Sequence, residues 1–66
     1  MSYEYATDAQ IEEYTQTVKV NNLSDYAISE SVLRAWTMTR IESEIEYLKE
    51  VALQKEALAT AYFNEF

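Results

Sequence analysis

Three carboxylates set four residues apart, Glu42, Glu46 and Glu50, are the side chains best placed by type and spacing to do chemistry. On a helix that spacing stacks them along one side, about 6 Å of rise apart. Paired carboxylates do acid and base work only in a cleft that drives their pKa values apart, and a single exposed row supplies none. Like charges at this spacing weaken a helix slightly. The row therefore invites a purpose, and mimicry of a phosphate backbone is one. The plainer reading is a solvated face, partly neutralised by Arg40, Lys49 and nearby Lys55; a mimic normally concentrates charge more heavily.

Other chemistry is short of raw material. With no His and no Cys the chain can build neither a disulfide nor an ordinary transition-metal site. No Asp-rich loop resembles a calcium site, and a phosphate-cradling loop needs glycines that are absent here. A chain of 66 residues also has little wall to spare for a pocket. No enzyme activity, cofactor or metal is expected.

Net charge is −7, from twelve acids and five bases. Such a surface repels phosphate, so direct binding of nucleic acid or of an anionic membrane is disfavoured. At 48% hydrophobic and 14% aromatic the chain is nonetheless too apolar for intrinsic disorder. No stretch approaches the ~18 consecutive apolar residues of a membrane span. The start, Met1-Ser2-Tyr3-Glu4-Tyr5, lacks the basic and apolar regions of a signal peptide. A cytoplasmic protein is expected. Residues 1–66 make one small domain whose core alone is marginal, and association with another chain is the remaining route to stability.

Helices must position whatever works here, because without Gly or Pro nothing supplies the usual tight hairpin turns. Residues 1–6 alternate Tyr3 and Tyr5 with polar neighbours, a weak strand signal or a mobile N-terminal arm. Thr7-Asp8-Ala9-Gln10 matches a capping box. Ile11, Tyr14 and Val18 then recur at helical spacing. The β-branched run Thr15, Thr17, Val18, Val20 leaves residues 14–20 open to strand; helix is favoured. Asn21-Asn22 tolerates the left-handed conformation that ends helices, and Ser24 or Asp25 can cap the next.

From Ser24 onward nothing obliges the chain to leave the helical state. Yet the apolar stripe moves. Ile28, Val32 and Trp36, flanked by Leu33 and Ala35, define one face; Met38, Ile41, Ile45, Leu48, Ala52, Ala59, Tyr62, Phe63 and Phe66 define another, roughly opposite. The switch at Thr37 means either a bend or break there, or one helix buried on different sides along its length. Ser24 to Arg34 faintly suggests a helix-turn-helix entry, but Arg34 and Arg40 are nearly its only basic groups.

The expected fold is all-α: an uneven helical hairpin with a short first helix from about Thr7 to Val20 and a long second helix, bent or broken near Thr37. Met38, Ile41, Ile45, Leu48 and Ala52 keep a three-four alternation too short for a sustained coiled coil. They suit a helix–helix interface, either inside the chain or between copies in a homo-oligomeric helical bundle, most simply a two-fold dimer. Trp36 belongs to the core. Tyr62, Phe63 and Phe66 suit either an anchor in a partner or a fold back onto the first helix. The expected function is that of a small acidic accessory protein, phage- or bacteria-like in character, acting by protein–protein interaction as adaptor, assembly factor or inhibitor. The alternatives are an acidic nucleic-acid-mimicking decoy that inhibits a DNA- or RNA-binding enzyme, and a structural subunit of a larger assembly.

Overall fold

The computed structural model describes the backbone of residues 4–64 and the side chains as far as Glu56. The first helix, α1 (Asp8–Val20), begins where the capping box places it. Thr7 Oγ1 accepts from the Gln10 amide at 3.2 Å, and Gln10 Oε1 accepts from the Thr7 amide at 3.0 Å. The β-branched run is helical because that phase buries Ile11, Tyr14 and Val18 together; its hydroxyls bond back on the preceding turn, Thr15 donating to the Ile11 carbonyl at 3.0 Å and Thr17 to that of Glu13 at 2.7 Å. Residues 14–20 are therefore helix, not strand. Asn22, at φ 55°, takes the left-handed conformation that Asn tolerates and turns the chain away.

Beyond Asn22 the chain is not one long helix. A 3₁₀ turn (Ser24–Tyr26) and a single helical turn, α2 (Glu30–Leu33), form an irregular leg, and a continuous helix, α3 (Met38–Asn64), starts only after Thr37. The expected switch near Thr37 is thus a break. Thr37 Oγ1 accepts from the Arg40 amide at 3.2 Å and caps α3. The break also corrects the expected stripe: Leu33 and Trp36 are buried, whereas Val32 and Ala35 face water, because the turns before Thr37 do not hold a 100° phase.

The path of the chain is set by its cross-links. The Tyr14 hydroxyl donates to the Tyr26 carbonyl at 2.9 Å, and Arg34 pairs with Asp8 at 2.8 Å. The irregular leg therefore runs back along α1, from its C-terminal end to its N-terminal end. There Tyr5 and Thr37 form an isolated antiparallel bridge, with the Ala6 amide on the Trp36 carbonyl (2.9 Å) and the Met38 amide on that of Glu4 (3.0 Å). The described part of the expected N-terminal arm, from Glu4 onward, is tied down.

α3 then descends beside α1 in the same direction. Gln10 bonds Glu42 at 3.1 Å, Glu13 faces Lys49 at 3.9 Å, and Lys55 reaches the Asn22 carbonyl at 3.4 Å. Both members of each pair advance together. A hairpin would set the two helices antiparallel; here they are parallel, and the leg of residues 23–37 is the return stroke between them.

Three segments share one core. α1 contributes Ile11, Tyr14 and Val18; the return leg contributes Leu23, Leu33 and Trp36; α3 contributes Ile41, Ile45 and Leu48. Full burial of such an aliphatic side chain is worth roughly 1.5–3 kcal/mol. Tyr14 meets Trp36 edge-to-face at 5.8 Å, and the Arg40 guanidinium lies over the outer face of Trp36 at 4.3 Å.

Candidate functional site

The expected interface stripe divides in two. Ile41, Ile45 and Leu48 are at most 3% exposed and sit in the chain's own core, with Met38 and Ala52 half-buried at its ends. The sequence left their packing open between internal and intermolecular; their side chains meet α1 and the return leg. While this fold stands they are not offered to a partner. Tyr62 lies on α3 with Phe63, but their side chains, and the whole of Phe66, lie outside the described residues.

The acidic row is on the surface. Glu42, Glu46 and Glu50 are exposed, and they are not equivalent. Glu42 accepts from Gln10 Nε2 across the α1–α3 seam, whereas Glu46 and Glu50 line an open outer groove of α3 with Ser43, Tyr47, Lys49 and Leu53. A second groove lies between α1 and the return leg, where Asp8, Glu12 and Glu30 surround Arg34. Arg34 donates to Glu30 at 2.6 Å and to Asp8 at 2.8 Å, and those bonds, Glu30's first, hold its guanidinium protonated even more firmly than usual. Asp8 and Glu30, two of the three acids that could have drawn a cation into this groove, are already engaged with one.

Tyrosines supply the remaining polar chemistry. Burial raises the Tyr14 phenol above its ordinary value, and Glu44 pushes the same way. Tyr47, half exposed, packs against Tyr26 at 6.1 Å, and its hydrogen bond with the Tyr26 side chain raises it as well. A raised phenol is a poorer nucleophile at neutral pH. Among the described residues no buried side-chain nitrogen or oxygen lacks a partner, and no three His, Cys, Asp or Glu side chains gather where they could hold a metal ion. No described helix is long and apolar enough to cross a membrane.

The sequence missed an exposed groove between the end of α1 and α3. Val20 is 74% exposed and Leu53 is 65% exposed; Leu53 lines a groove with Asn21, Lys49, Ala52 and Glu56. Periodicity could not find it, because both residues lie off the core stripes of their helices. Beyond this groove α3 carries on past the end of α1. Asn22, just past the end of α1, is level with Lys55, yet α3 continues from Glu56 to Asn64, about 13 Å further. The radius of gyration records this: 14.5 Å, against about 11 Å for an ordinary compact chain of this length.

The chain matches no known protein family, and comparison with curated proteins and with solved structures gave no match either.

Proposed function

We propose that this protein is an accessory binding module: it docks the far half of α3 onto another protein and acts by that contact, as an adaptor, assembly factor or inhibitor, without chemistry of its own. The observation that supports the reading is the overrun of α3 past the end of α1 and of the core. A helical segment of ~10 residues is marginal in water by itself, and this one is rich in apolar residues, reading Ala57-Leu58-Ala59-Thr60-Ala61-Tyr62-Phe63. A helix apolar all round belongs in an interior. Laid on a partner, it would bind as helix-on-helix or helix-in-groove.

Ending the chain after Glu56 tests this. The described core residues all precede that point, so the shortened chain should keep its cooperative melt while losing every protein that the full chain captures from lysate. A shortened chain that captures the same proteins would move the binding surface onto the body. The acidic-decoy reading would place Glu42, Glu46 and Glu50 in phosphate positions, and the tie between Glu42 and Gln10 weighs against it. Capture that collapses as salt rises would reverse that choice.

A further inference from the structure

We propose that Tyr26 and Tyr47 form an oxidative cross-linking site: a one-electron oxidant of the peroxidase class, consuming hydrogen peroxide, joins their rings into a dityrosine that staples the return leg to α3. The proposal does not depend on which surface meets a partner.

The sequence supplies the raw material. Without cysteine the chain cannot lock its fold with a disulfide, yet it carries six tyrosines. Among the described ones, Tyr26 and Tyr47 alone are both in contact and open to solvent. Tyr14 is 2% exposed and closed to an oxidant, while Tyr5 is exposed but touches no other described ring. Tyr26 is half-buried, and half of Tyr47 faces water.

The fold then brings the pair together. Their ring centroids lie 6.1 Å apart with the planes at 69°, inside the span of ~4.5–7 Å found for touching aromatic rings. The two side chains share a hydrogen bond, which turns the hydroxyl ends of the rings, and the carbons beside them, towards each other. Each ring has a fixed mount: the Tyr26 carbonyl accepts the Tyr14 hydroxyl at 2.9 Å, and Tyr47 stands on the turn of α3 that buries Ile45 and Leu48. Such placement replaces a chance encounter with an intramolecular one.

The step balances without help from other groups of the chain. The oxidant takes an electron from the exposed Tyr47 phenol, and the proton goes to water. Tyr26 passes an electron and a proton across the contact to the Tyr47 radical, and Tyr47 is oxidised a second time. The two phenoxyl radicals join through a carbon beside each hydroxyl; the hydrogen on each of those carbons moves to oxygen and restores both phenols. Two electrons and two protons in all convert one hydrogen peroxide to two waters.

Treating the folded full chain at low concentration with a peroxidase and hydrogen peroxide tests the site. Trypsin cuts after Lys19, Arg34, Arg40 and Lys49, leaving Tyr26 in residues 20–34 and Tyr47 in residues 41–49, each the one tyrosine of its peptide. The product should be a monomer lighter by two hydrogen atoms with those two peptides joined, in a yield unchanged by hundredfold dilution. Tyr26→Phe and Tyr47→Phe keep the ring and lose the phenol; each should abolish the joined pair while circular dichroism shows the fold retained. Unfolding in urea before oxidation should cut the yield severalfold. The cross-linked monomer should melt at a higher temperature than the untreated chain, because the link constrains the unfolded state. A folded chain that gives no joined pair, whether its dityrosine forms elsewhere, between chains or not at all, overturns the site, as does a pair that forms equally well in urea. A cross-linked monomer that melts no higher overturns the staple.

Discussion

Shortening Ile45 to alanine asks whether α3 spends its central stripe inside the chain. Ile45 is 3% exposed and sits among Ile41 and Leu48 of its own helix and the α1 and return-leg side chains of the core. Removing its outer carbons costs the lost transfer free energy plus a cavity, about 2–5 kcal/mol for Ile→Ala in a core. A chain of this length has a total stability of roughly 3–10 kcal/mol. At the middle of both ranges the substitution therefore removes about half of it. For domains of this size each kcal/mol moves the midpoint by about 4–8 °C, so Tm should fall by on the order of 10 °C or more. Circular dichroism melts at two protein concentrations a hundredfold apart measure it. Because the loss is internal, the drop should be the same at both. A variant that melts within a few degrees of the parent, or whose deficit vanishes at the higher concentration, would put Ile45 between chains and refute the internal core.

Other substitutions probe the ties around that core. Tyr14→Phe removes the bond to the Tyr26 carbonyl and should cost about 1 kcal/mol, read as a lower urea midpoint at unchanged slope. Thr7→Ala takes away the hydroxyl half of the capping box and should cost ~0.5–2 kcal/mol, read in the same way. Arg34→Ala cuts two exposed ion pairs; the modest Tm difference from the parent should shrink as salt is added, and a difference indifferent to salt would mean packing rather than charge. The folded Tyr14 phenol lies above its ordinary value of 10.0, so the native state holds that proton more tightly than the unfolded chain does. Its contribution is fully present below pH 10 and is lost as pH rises through the native value. Stability should thus fall as the pH rises from about 10 towards the native value, and fall less steeply in Tyr14→Phe.

How much of this was legible in the sequence depended on whether the signal was local. The capping box at Thr7 and Gln10, the helical spacing of Ile11, Tyr14 and Val18, the Asn turn and the core place of Trp36 all rest on interactions within a few residues, and all are found. The break at Thr37 showed as a jump in phase between Trp36 and Met38. Its consequence did not show, because a break carries no information about the direction in which the next helix leaves. That direction is set by Tyr14 on Tyr26, Arg34 on Asp8 and the Tyr5–Thr37 bridge, pairings between residues far apart in the chain. The same ignorance left Ile41, Ile45 and Leu48 open between an internal face and an external one. A stripe says that a face must be buried and is silent on what buries it. The groove that Leu53 shares with Asn21 was invisible for the complementary reason: a single exposed apolar residue is ordinary, and only adjacency across two helices makes a surface.

Parallel helices impose an order of events on the making of this protein. Gln10 and Glu42 stand 32 residues apart and Asn22 and Lys55 stand 33 apart, so the two long helices meet only after about half the chain has been looped back between them. α1, at 13 residues, is near the lower limit for a helix that persists unaided. As the chain is synthesised, Ile11, Tyr14 and Val18 emerge first, gain partial cover from Leu23, Leu33 and Trp36, and complete their packing once Ile41, Ile45 and Leu48 have been added. Closing the long loop precedes the reward of packing, and the nascent chain stays exposed to proteases and chaperones until its last third is in place.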